Sequence, residues 1–292
     1  MRPPISKNEI ENQLIFDPVC GLKIGDLADI PRVTRQGKKL IFCSKTCLDR
    51  FNENPEKFQG EPFIKVRGLE KRFRLGRIKI EVLRDLNFNI WEGDFVGLIG
   101  ASGSGKSTTL NMLGLLDRPT SGKIFLKGKD ISSLSDEERA SLRSKTFGFV
   151  FQQYNLIPWL DAYENVILPL IFADKKIDSE ETRRKFREIN LGEQMIHRPF
   201  EMSGGEQQRT AILRALANDP EIIIGDEPTG NLDSETGNKI LEILIKLNKE
   251  RGKTLIVVTH DADIAEKANQ IITIKDGRAI RDHQKHREIY TE

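Results

Sequence analysis

Glycine and serine fill a short loop that ends in a lysine and a serine, Gly100 to Ser107 (GASGSGKS). Such glycines let the backbone wrap an anion with its N–H groups pointing inward, while Lys106 adds a positive charge and the Ser107 hydroxyl can bind Mg²⁺. An apolar segment precedes the loop and a helix-forming segment follows it, so the positive end of the helix also faces the anion. We therefore predict a phosphate site formed by Gly100, Ala101, Ser102, Gly103, Ser104, Gly105, Lys106, Ser107 and Thr108.

Two adjacent carboxylates, Asp226 and Glu227, end an apolar run (222–225) much later in the chain. We expect this run to be a strand directly beside the strand that leads into the loop, which would bring Asp226 to the Mg²⁺ ion. Glu227 would then lie on the γ-phosphate side, where a carboxylate can polarise an attacking water. Alone, the pair would indicate only a solvated strand end. Together with the phosphate loop, it predicts hydrolysis of a nucleoside triphosphate.

Hydrophobic periodicity predicts the elements that must hold these groups in place. Apolar runs without alternation predict buried parallel strands over 95–100, 222–225 and 254–258. Helices are predicted over 106–116, 135–144, 203–218 and 234–250. Ser135 and Glu138 form a capping-box pattern at the start of the second of these helices. Residues 62–292 thus alternate strand and helix, as an α/β domain does.

The composition is that of a soluble globular protein: of 292 residues, 38% are hydrophobic and 31% are charged. A net charge of +2 is too close to neutral to favour a nucleic-acid or membrane-surface partner. Mean hydropathy is −0.43, and no apolar run approaches the roughly 18 residues of a membrane-spanning helix. The first residues lack the apolar core of a signal peptide. We therefore expect a chain that stays in the cytosol unless a partner holds it at a membrane.

Further motifs follow in order, and over residues 62–280 they resemble the ATP-binding cassette (ABC) ATPases. The segment SGGEQQR, which begins at Ser203, resembles the ABC signature, with Met202 and Glu206 in place of its usual leucine and glutamine. The Q-loop glutamine, the D-loop aspartate, the switch histidine and the aromatic residue that stacks on adenine are matched by Gln152, Asp233, His260 and Phe73. The resemblance implies an α/β fold of the P-loop NTPase type: an ABC nucleotide-binding domain with a parallel core sheet plus antiparallel β and helical subdomains.

The resemblance also implies ATP and Mg²⁺ as cofactors, and a role for each matched residue. Glu227 would activate the attacking water and His260 would sense the γ-phosphate, so both are expected to be catalytic. Mg²⁺ would be surrounded by Ser107, Gln152 and Asp226. Beyond the phosphate loop, ATP would contact Phe73, Gln152, Ser203, Gly204, Gly205, Glu206 and Asp233. Signature residues in this family contact the ATP held by a second subunit, so we expect a homodimer or a pair with a sister ATPase.

Longer stretches (LDRPTSGKIFLKGKDIS, FGFVFQQYNLIPWLDAYENVILPL and DEPTGNLDSETG) are similar to the branch that includes macrolide-export and lipoprotein-release ATPases. This implies an integral membrane permease with a large extracytoplasmic domain as partner, no nucleic-acid partner, and a peripheral position on the cytoplasmic face of the membrane. Residues 154–170 would contact the permease, although packing within the helical subdomain explains their apolar side chains equally well. A non-transport ABC protein is the less favoured alternative, because the chain has one nucleotide domain and no long coiled-coil insertion.

All three cysteines, Cys20, Cys43 and Cys47, lie in the first 47 residues, in a segment without a nucleotide motif. An odd, clustered set in a cytosolic chain does not predict a disulfide framework. Residues 16–58, with DPVCG, FCSKTC and NPEKF, resemble a YHS domain, a small α+β module of metal-handling proteins. We therefore divide the chain into a YHS-like module over 14–60 and an ABC nucleotide-binding domain over 62–292, with a polar join near 52–62.

Three soft thiolates favour a thiophilic ion such as Cu(I) or Zn²⁺. Ser44 is expected to cap a helix that begins at Lys45, which would place Cys43 and Cys47 one turn apart near its positive end and lower the pKa of both thiols. Three ligands suit trigonal Cu(I) and leave Zn²⁺ one short of its usual four. Two alternatives stay open: buried cysteines without a metal, and a metal-sensing ATPase whose module regulates turnover.

Overall fold

The computed structural model of the chain describes residues 15–25, 30–260 and 262–280. Its strands are β1 (Ile15–Phe16), β2 (Lys23–Ile24), β3 (Arg32–Arg35), β4 (Lys38–Ile41), β5 (Ile64–Leu75), β6 (Ile78–Ile90), β7 (Phe95–Ile99), β8 (Ser121–Leu126), β9 (Lys129–Asp130), β10 (Phe147–Phe151), β11 (Ile222–Asp226), β12 (Thr254–Val258), β13 (Gln270–Lys275) and β14 (Arg278–Ile280). Its α-helices are α1 (Lys45–Glu53), α2 (Lys106–Leu113), α3 (Asp136–Thr146), α4 (Ala162–Phe172), α5 (Ser179–Glu188), α6 (Gly204–Leu216), α7 (Ser234–Arg251) and α8 (Ala262–Lys267). Residue 14 and the charged tail beyond 280 lie outside the described residues.

A six-stranded sheet in the order β10-β11-β12-β7-β13-β14 forms the centre of the domain over 62–280 that is expected to be an ATPase, called the ATPase domain below. Its neighbouring strands are parallel except β13 and β14, which are antiparallel. Every residue of β7 and β12 is buried. Alternate side chains enter two different apolar cores, with Val96 and Ile256 on one face and Phe95 and Leu255 on the other. The runs of apolar residues without alternation are therefore explained by a sheet covered on both faces.

Strand β12 lies between β7 and β11, so the prediction that β7 and β11 are neighbours is wrong. Val258 of β12 pairs with Leu98 of β7 on one side and with Asp226 of β11 on the other. The physical reason is that buried parallel strands have similar apolar sequences, and these carry no information about their order in the sheet.

The two additional layers implied by the resemblance are present. An antiparallel sheet in the order β6-β5-β8-β9 packs on the core sheet, and its long strands β5 and β6 shift register after Val66. A helical region packs around a separate apolar cluster that contains Val166, Phe186 and Leu213. The fold is thus the expected one, with a parallel core sheet, an antiparallel β layer and helices.

The predicted helices form with ends shifted by a few residues. Helix α2 ends at Leu113 instead of 116, directly before Gly114. Ser135 caps α3, and its capping box with Glu138 is complete, as predicted. No helix in the described part of the chain is both long and apolar enough to cross a membrane.

Two short antiparallel ribbons, β1–β2 and β3–β4, and the helix α1 form the N-terminal module. Val19, Phe42, Phe51 and Phe58 are buried together, and Trp91 from the ATPase domain completes this cluster. The Trp91 indole N–H donates to the carbonyl oxygen of Val19 over 2.6 Å. Phe58 lies in the predicted join and its ring meets the Trp91 ring edge-on, with centroids 5.1 Å apart. The module therefore shares its apolar core with the ATPase domain.

Candidate functional site

The phosphate loop takes a backbone shape that demands glycine at two positions. Gly100 has a φ angle of 147° and Gly105 one of 107°. A Cβ atom at Gly100 would collide with the carbonyl oxygen of Ile274, and one at Gly105 would lie 2.5 Å from Leu83 Cδ2. Helix α2 begins directly after the loop, at Lys106, so its first N–H groups are directed toward the loop.

Lys106 folds back over the loop. Its Nζ atom donates to the carbonyl oxygens of Gly100, at 2.8 Å, and Ala101, at 2.9 Å. Burial lowers the pKa of Lys106. The hydroxyl of Ser104 is buried and has no hydrogen-bond partner among the described residues. An ammonium group and an unpaired buried hydroxyl in one loop suit an anion with several oxygens, such as a triphosphate.

Ser107 and Asp226 meet at the carboxyl end of the core sheet, where the Ser107 hydroxyl donates to Asp226 Oδ1 over 3.3 Å. The two groups meet although β12 separates their strands, because α2 packs across both β11 and β12. Burial raises the pKa of Asp226, and the hydrogen bond from Ser107 opposes that shift. A hydroxyl and a carboxylate are oxygen ligands that suit Mg²⁺, so these residues fit the ion expected there.

Glu227 and His260 lie side by side, with 3.2 Å between Glu227 Oε1 and His260 Nδ1. They follow the neighbouring strands β11 and β12, and the Glu227 N–H donates to the carbonyl oxygen of Val258 over 2.9 Å. Glu227 has a φ angle of 46°, which is uncommon for a residue other than glycine. The structure therefore brings together the two residues predicted to be catalytic.

Gln152 is held by Asn231, a residue that the sequence reasoning did not place in the site. Gln152 Nε2 donates to Asn231 Oδ1 over 3.2 Å, and Asn231 Nδ2 donates to the Gln152 carbonyl oxygen over 2.9 Å. The only sequence signal for Asn231 was its position two residues before Asp233 in the D-loop match. No hydrogen bond among the described residues joins Gln152 to Ser107 or Asp226, so its place beside Mg²⁺ stays a prediction.

The signature residues begin helix α6, where Ser203 is the N-cap. The Glu206 N–H donates to Ser203 Oγ over 3.4 Å, and the N–H and hydroxyl of Ser203 both donate to Glu206 Oε2 over 2.8 Å. Asp233 caps α7 in the same way and accepts from the Thr236 N–H at 3.0 Å. The side chain of Glu206, predicted to bind ATP, is therefore engaged in a capping box within its own helix.

Phe73 lies on β5 with 42% of its surface exposed, and the ammonium group of Lys71 is 4.8 Å from its ring centroid. In the described part of the chain, no hydrogen bond joins Phe73, Asp233 or the signature residues to the phosphate loop 100–108. Their contact with ATP stays a prediction.

The three cysteines converge into one cluster. Cys20 Sγ is 3.5 Å from Cys43 Sγ, and Cys43 Sγ is 3.7 Å from Cys47 Sγ. Ser44 caps helix α1 as predicted and accepts from the Cys47 N–H at 3.2 Å. Two chain segments far apart in sequence thus place three sulfur atoms within reach of one ion.

Asp17, three residues before Cys20, joins this cluster and was missed by the sequence reasoning. Its carboxylate is buried and accepts three backbone N–H groups: those of Val19 at 2.7 Å, Cys20 at 3.0 Å and Cys43 at 2.6 Å. The ligand atoms of Asp17 and the three cysteines all lie within 4.8 Å of one another. The aspartate therefore fixes the backbone of two of the three cysteines relative to each other.

Only one of the two helix-end thiols has the lowered pKa that was predicted. Hydrogen bonds from the thiols of Cys20 and Cys43 lower the pKa of Cys47 to about 3. Although its hydrogen bond with Cys20 lowers it, the pKa of Cys43 is raised overall by its hydrogen bond to Cys47 and by burial. Hydrogen bonds to Cys43 and Cys47, followed by burial, raise the pKa of Cys20. The prediction for Cys43 is wrong because its hydrogen bond to Cys47 and its burial outweigh the lowering of its pKa by Cys20.

Fold and site together define a P-loop ATPase, with a phosphate loop after one parallel strand and an acidic pair after another. Sequence comparison identifies its family: the model of the ABC transporter family matches residues 83–230, and that of the YHS domain matches residues 15–61. An ABC transporter ATP-binding protein from Thermotoga maritima is 50% identical over 212 residues, covering 71% of this chain and 89% of that protein. The chain therefore belongs to the ABC transporter family, binds and hydrolyses ATP, and carries a YHS domain at its N-terminal end.

Two further relatives bear on what the chain assembles with. The macrolide export ATP-binding/permease protein MacB from Syntrophobacter fumaroxidans is 45% identical over 218 residues, covering 73% of this chain but 30% of that protein. The ABC transporter ATP-binding protein MJ0796 from Methanocaldococcus jannaschii is 48% identical over 227 residues, covering 76% of this chain and 97% of that protein. A structure of MJ0796 as a dimer bound to ADP and phosphate after hydrolysis matches with a TM-score of 0.71 and 46% identity, covering 77% of this chain and 99% of that one.

Proposed function

We propose that this chain binds ATP with Mg²⁺ at its phosphate loop and hydrolyses it in a dimer that drives a membrane permease. The observation that carries the proposal is the convergence of Ser107, Asp226, Glu227 and His260 at one end of the core sheet. Lys106 and the loop N–H groups bind the β- and γ-phosphates, while Ser107, Asp226 and Gln152 surround the ion. Mg²⁺, when bound, offsets negative charge on the phosphates.

Glu227 performs the proton transfer in this arrangement. Its carboxylate accepts the proton of the attacking water, and His260 holds the carboxylate through the contact of 3.2 Å. The positive φ angle of Glu227 turns the chain sharply after β11, so its side chain leaves the strand direction that Asp226 follows. The two neighbouring acids thereby serve different purposes, one beside the ion and one beside the water.

The dimer is supported by the exposed N-caps of α6 and α7 and by the dimeric relative. Ser203 and Asp233 are both exposed, and each begins a helix whose N-terminal N–H groups suit an anion. In the proposed homodimer, or pair with a sister ATPase, Ser203, Gly204 and Gly205 contact the γ-phosphate bound by the partner subunit. Phe73 stacks on the adenine of the chain's own ATP.

The permease surface is proposed beside helix α4. Trp159 is 73% exposed, Ile171 54% and Phe172 80%. Phe172 borders a groove that Phe149 and Arg214 also line. Exposed apolar side chains just before α4 and at its end favour a protein contact with this helix. With a permease that carries a large extracytoplasmic domain, as the resemblance to the macrolide-export branch implies, the chain would lie peripherally on the cytoplasmic face of the membrane.

The substitution Glu227→Gln tests the ATPase proposal. The variant should bind ATP and form a stable dimer, measured by light scattering with and without ATP, because the phosphate loop is intact. Its ATP turnover should fall by about 10²-fold or more, because the proton acceptor is lost. Glu242→Gln, an exposed change on α7, is the matched control and should hydrolyse ATP like the wild type. Normal turnover of Glu227→Gln would refute the assignment.

We further propose that Cys20, Cys43 and Cys47 bind one thiophilic ion, Cu(I) or Zn²⁺. Ligands at a Zn–S distance of ~2.3 Å in a tetrahedral site lie about 3.8 Å apart, close to the observed sulfur separations of 3.5 and 3.7 Å. The triple Cys→Ser variant should lose the one ion per chain that the loaded wild type holds, as measured by elemental analysis. Equal metal content in both proteins would show that the three cysteines do not bind the ion.

A metal-sensing ATPase is the second candidate, and the contacts of helix α1 favour it. This helix carries Cys47 and also Arg50, whose guanidinium group reaches Asp94 at 3.1 Å and Gln270 at 3.0 Å. Asp94 directly precedes β7, the strand that ends at the phosphate loop, and Gln270 begins β13. Under this proposal, adding Zn²⁺ or Cu(I) changes the ATPase rate of the wild type and leaves that of the triple Cys→Ser variant unchanged. An ATPase rate that does not change with added metal in either protein would exclude regulation by the ion.

A further inference from the structure

A cavity of about 350 Å³ is lined by the cysteine cluster and by residues of the ATPase domain. All three cysteines line one side of it, and Ile271 and Ile272 of β13 line the other. Ile280, at the end of β14, and Leu22 add further apolar surface. The sulfur atoms thus face a space between the two domains, and this space is bordered mainly by apolar side chains.

For a four-coordinate ion such as Zn²⁺, the donor set leaves one coordination position without a protein sulfur. The sulfur separations of 3.5 Å for Cys20–Cys43 and 3.7 Å for Cys43–Cys47 suit neighbouring corners of a tetrahedron, and the sulfur atoms of Cys20 and Cys47 lie within 4.8 Å of each other. Among the described residues, Asp17 is the one further donor of the cluster. Its two oxygens already accept the N–H groups of Val19, Cys20 and Cys43 at 2.6–3.0 Å. The carboxylate is therefore engaged with the backbone, whereas all three cysteines line the cavity.

Resting on the proposed function that these cysteines bind a thiophilic ion, we propose that the fourth position faces the cavity and takes a small exogenous thiolate. Structural metal sites are closed by four protein ligands, whereas sites that exchange a ligand keep an open position. The site between the two domains is one that keeps an open position.

The cavity also limits the chemical class of this ligand. A thiolate is the donor that a thiophilic ion prefers, and an apolar carbon body suits the lining of Leu22, Ile271, Ile272 and Ile280. A volume near 350 Å³ lies at the lower end of the roughly 300–1,000 Å³ typical of ligand pockets, so the thiol must be small. On binding, the thiol releases its proton to solvent and its sulfur displaces a solvent ligand from the ion, so no oxidation or reduction is involved.

Cobalt substitution with 2-mercaptoethanol as the added thiol tests the proposal in the full-length protein. Co²⁺ bound by three cysteine thiolates gives a charge-transfer absorbance, which should rise by about one third when a fourth Co–S bond forms. The rise should saturate at one thiol per ion.

Two variants on helix α1 show whether the added thiol binds in the cavity. Thr46 is exposed and lines the cavity, whereas Asp49, on the same helix, is exposed and is not a lining residue. Thr46→Trp should bind Co²⁺ like the wild type and lose the rise on thiol addition, because the indole fills the mouth of the cavity. Asp49→Trp is the matched control and should keep the rise.

The outcomes separate this inference from the proposed metal function. If the wild type binds no Co²⁺ through its cysteines, the metal function itself fails. If Co²⁺ binds but its absorbance stays constant on thiol addition, or falls because the thiol removes the ion, the open position is refuted. If Thr46→Trp shows the same rise as the wild type, the fourth position does not face the cavity.

Discussion

Arg50 of the YHS domain and Asp94 of the ATPase domain form an ion pair, with 3.1 Å between Arg50 Nη2 and Asp94 Oδ2. Lys57 reaches the other oxygen, Asp94 Oδ1, over 2.7 Å, and the Asp94 side chain is completely buried. A buried carboxylate is costly without compensating charge. The two cations from the N-terminal domain therefore pair with Asp94 directly before the strand that leads to the phosphate loop.

Removing these cations should destabilise the whole chain. In Arg50→Ala/Lys57→Ala, the buried carboxylate loses both partners, so the free energy of unfolding should fall by about 3–5 kcal/mol. Adding Asp94→Asn should recover part of the loss, because it removes the unpaired charge. Urea unfolding of the three proteins measures both effects.

Lys23→Ala is the control for that series. It breaks another ion pair between the two domains, Lys23 with Asp85, whose side chains are 41% and 39% exposed. Its cost should be at most about 1 kcal/mol, as for other surface pairs. Equal losses in Lys23→Ala and in the Arg50/Lys57 variant would contradict the role given to Asp94.

Ser107→Ala should impair the use of Mg²⁺ more than the binding of ATP. The hydroxyl that donates to Asp226 is lost, while Lys106 and the loop N–H groups remain. We expect ATP turnover to fall by about 10²-fold, with partial recovery at high Mg²⁺ concentration in a steady-state titration. Ser141→Ala, an exposed change on α3, should leave turnover and its Mg²⁺ dependence unaltered. A Ser107→Ala enzyme with the wild-type Mg²⁺ dependence would refute the predicted ligand.

Asp17→Ala should disorganise the cysteine cluster although no cysteine is changed. Three N–H groups lose their acceptor, and an unpaired buried donor costs about 1–3 kcal/mol. The variant should therefore unfold at lower urea concentration and bind less than one ion per chain by elemental analysis. Asp49→Ala, exposed on α1, is the control. Full metal content and normal stability of Asp17→Ala would show that the segments around Cys20 and Cys43 keep their positions without the carboxylate.

The parts of this molecule that depend on local sequence were predictable. The phosphate loop, the capping box at Ser135 and the cap at Ser44 each involve residues within a few positions of one another. The position of β12 between β7 and β11 was not predictable, since it depends on how similar apolar strands pack.

Long-range contacts and the pKa values of the clustered thiols could not be predicted from the sequence either. The hydrogen bond between Arg50 and Gln270 joins residues 220 positions apart, and no local pattern signals it. The predicted lowering of the thiol pKa is found at Cys47 and not at Cys43, and at Cys47 its main cause is hydrogen bonds from the other two thiols, which the position of the helix end does not predict.

The departure from the usual signature at Glu206 gives a final prediction. Glu206 Oε2 accepts from both the N–H and the hydroxyl of Ser203 at 2.8 Å, which fixes the start of α6. A glutamine can accept the same bonds through its Oε1 atom, so Glu206→Gln should keep wild-type ATP turnover and stability. Glu206→Ala loses the capping box and should lose about 0.5–2 kcal/mol of stability together with part of its turnover. Steady-state ATPase assays and urea unfolding of both variants decide the matter, and wild-type behaviour of Glu206→Ala would show that the cap is dispensable.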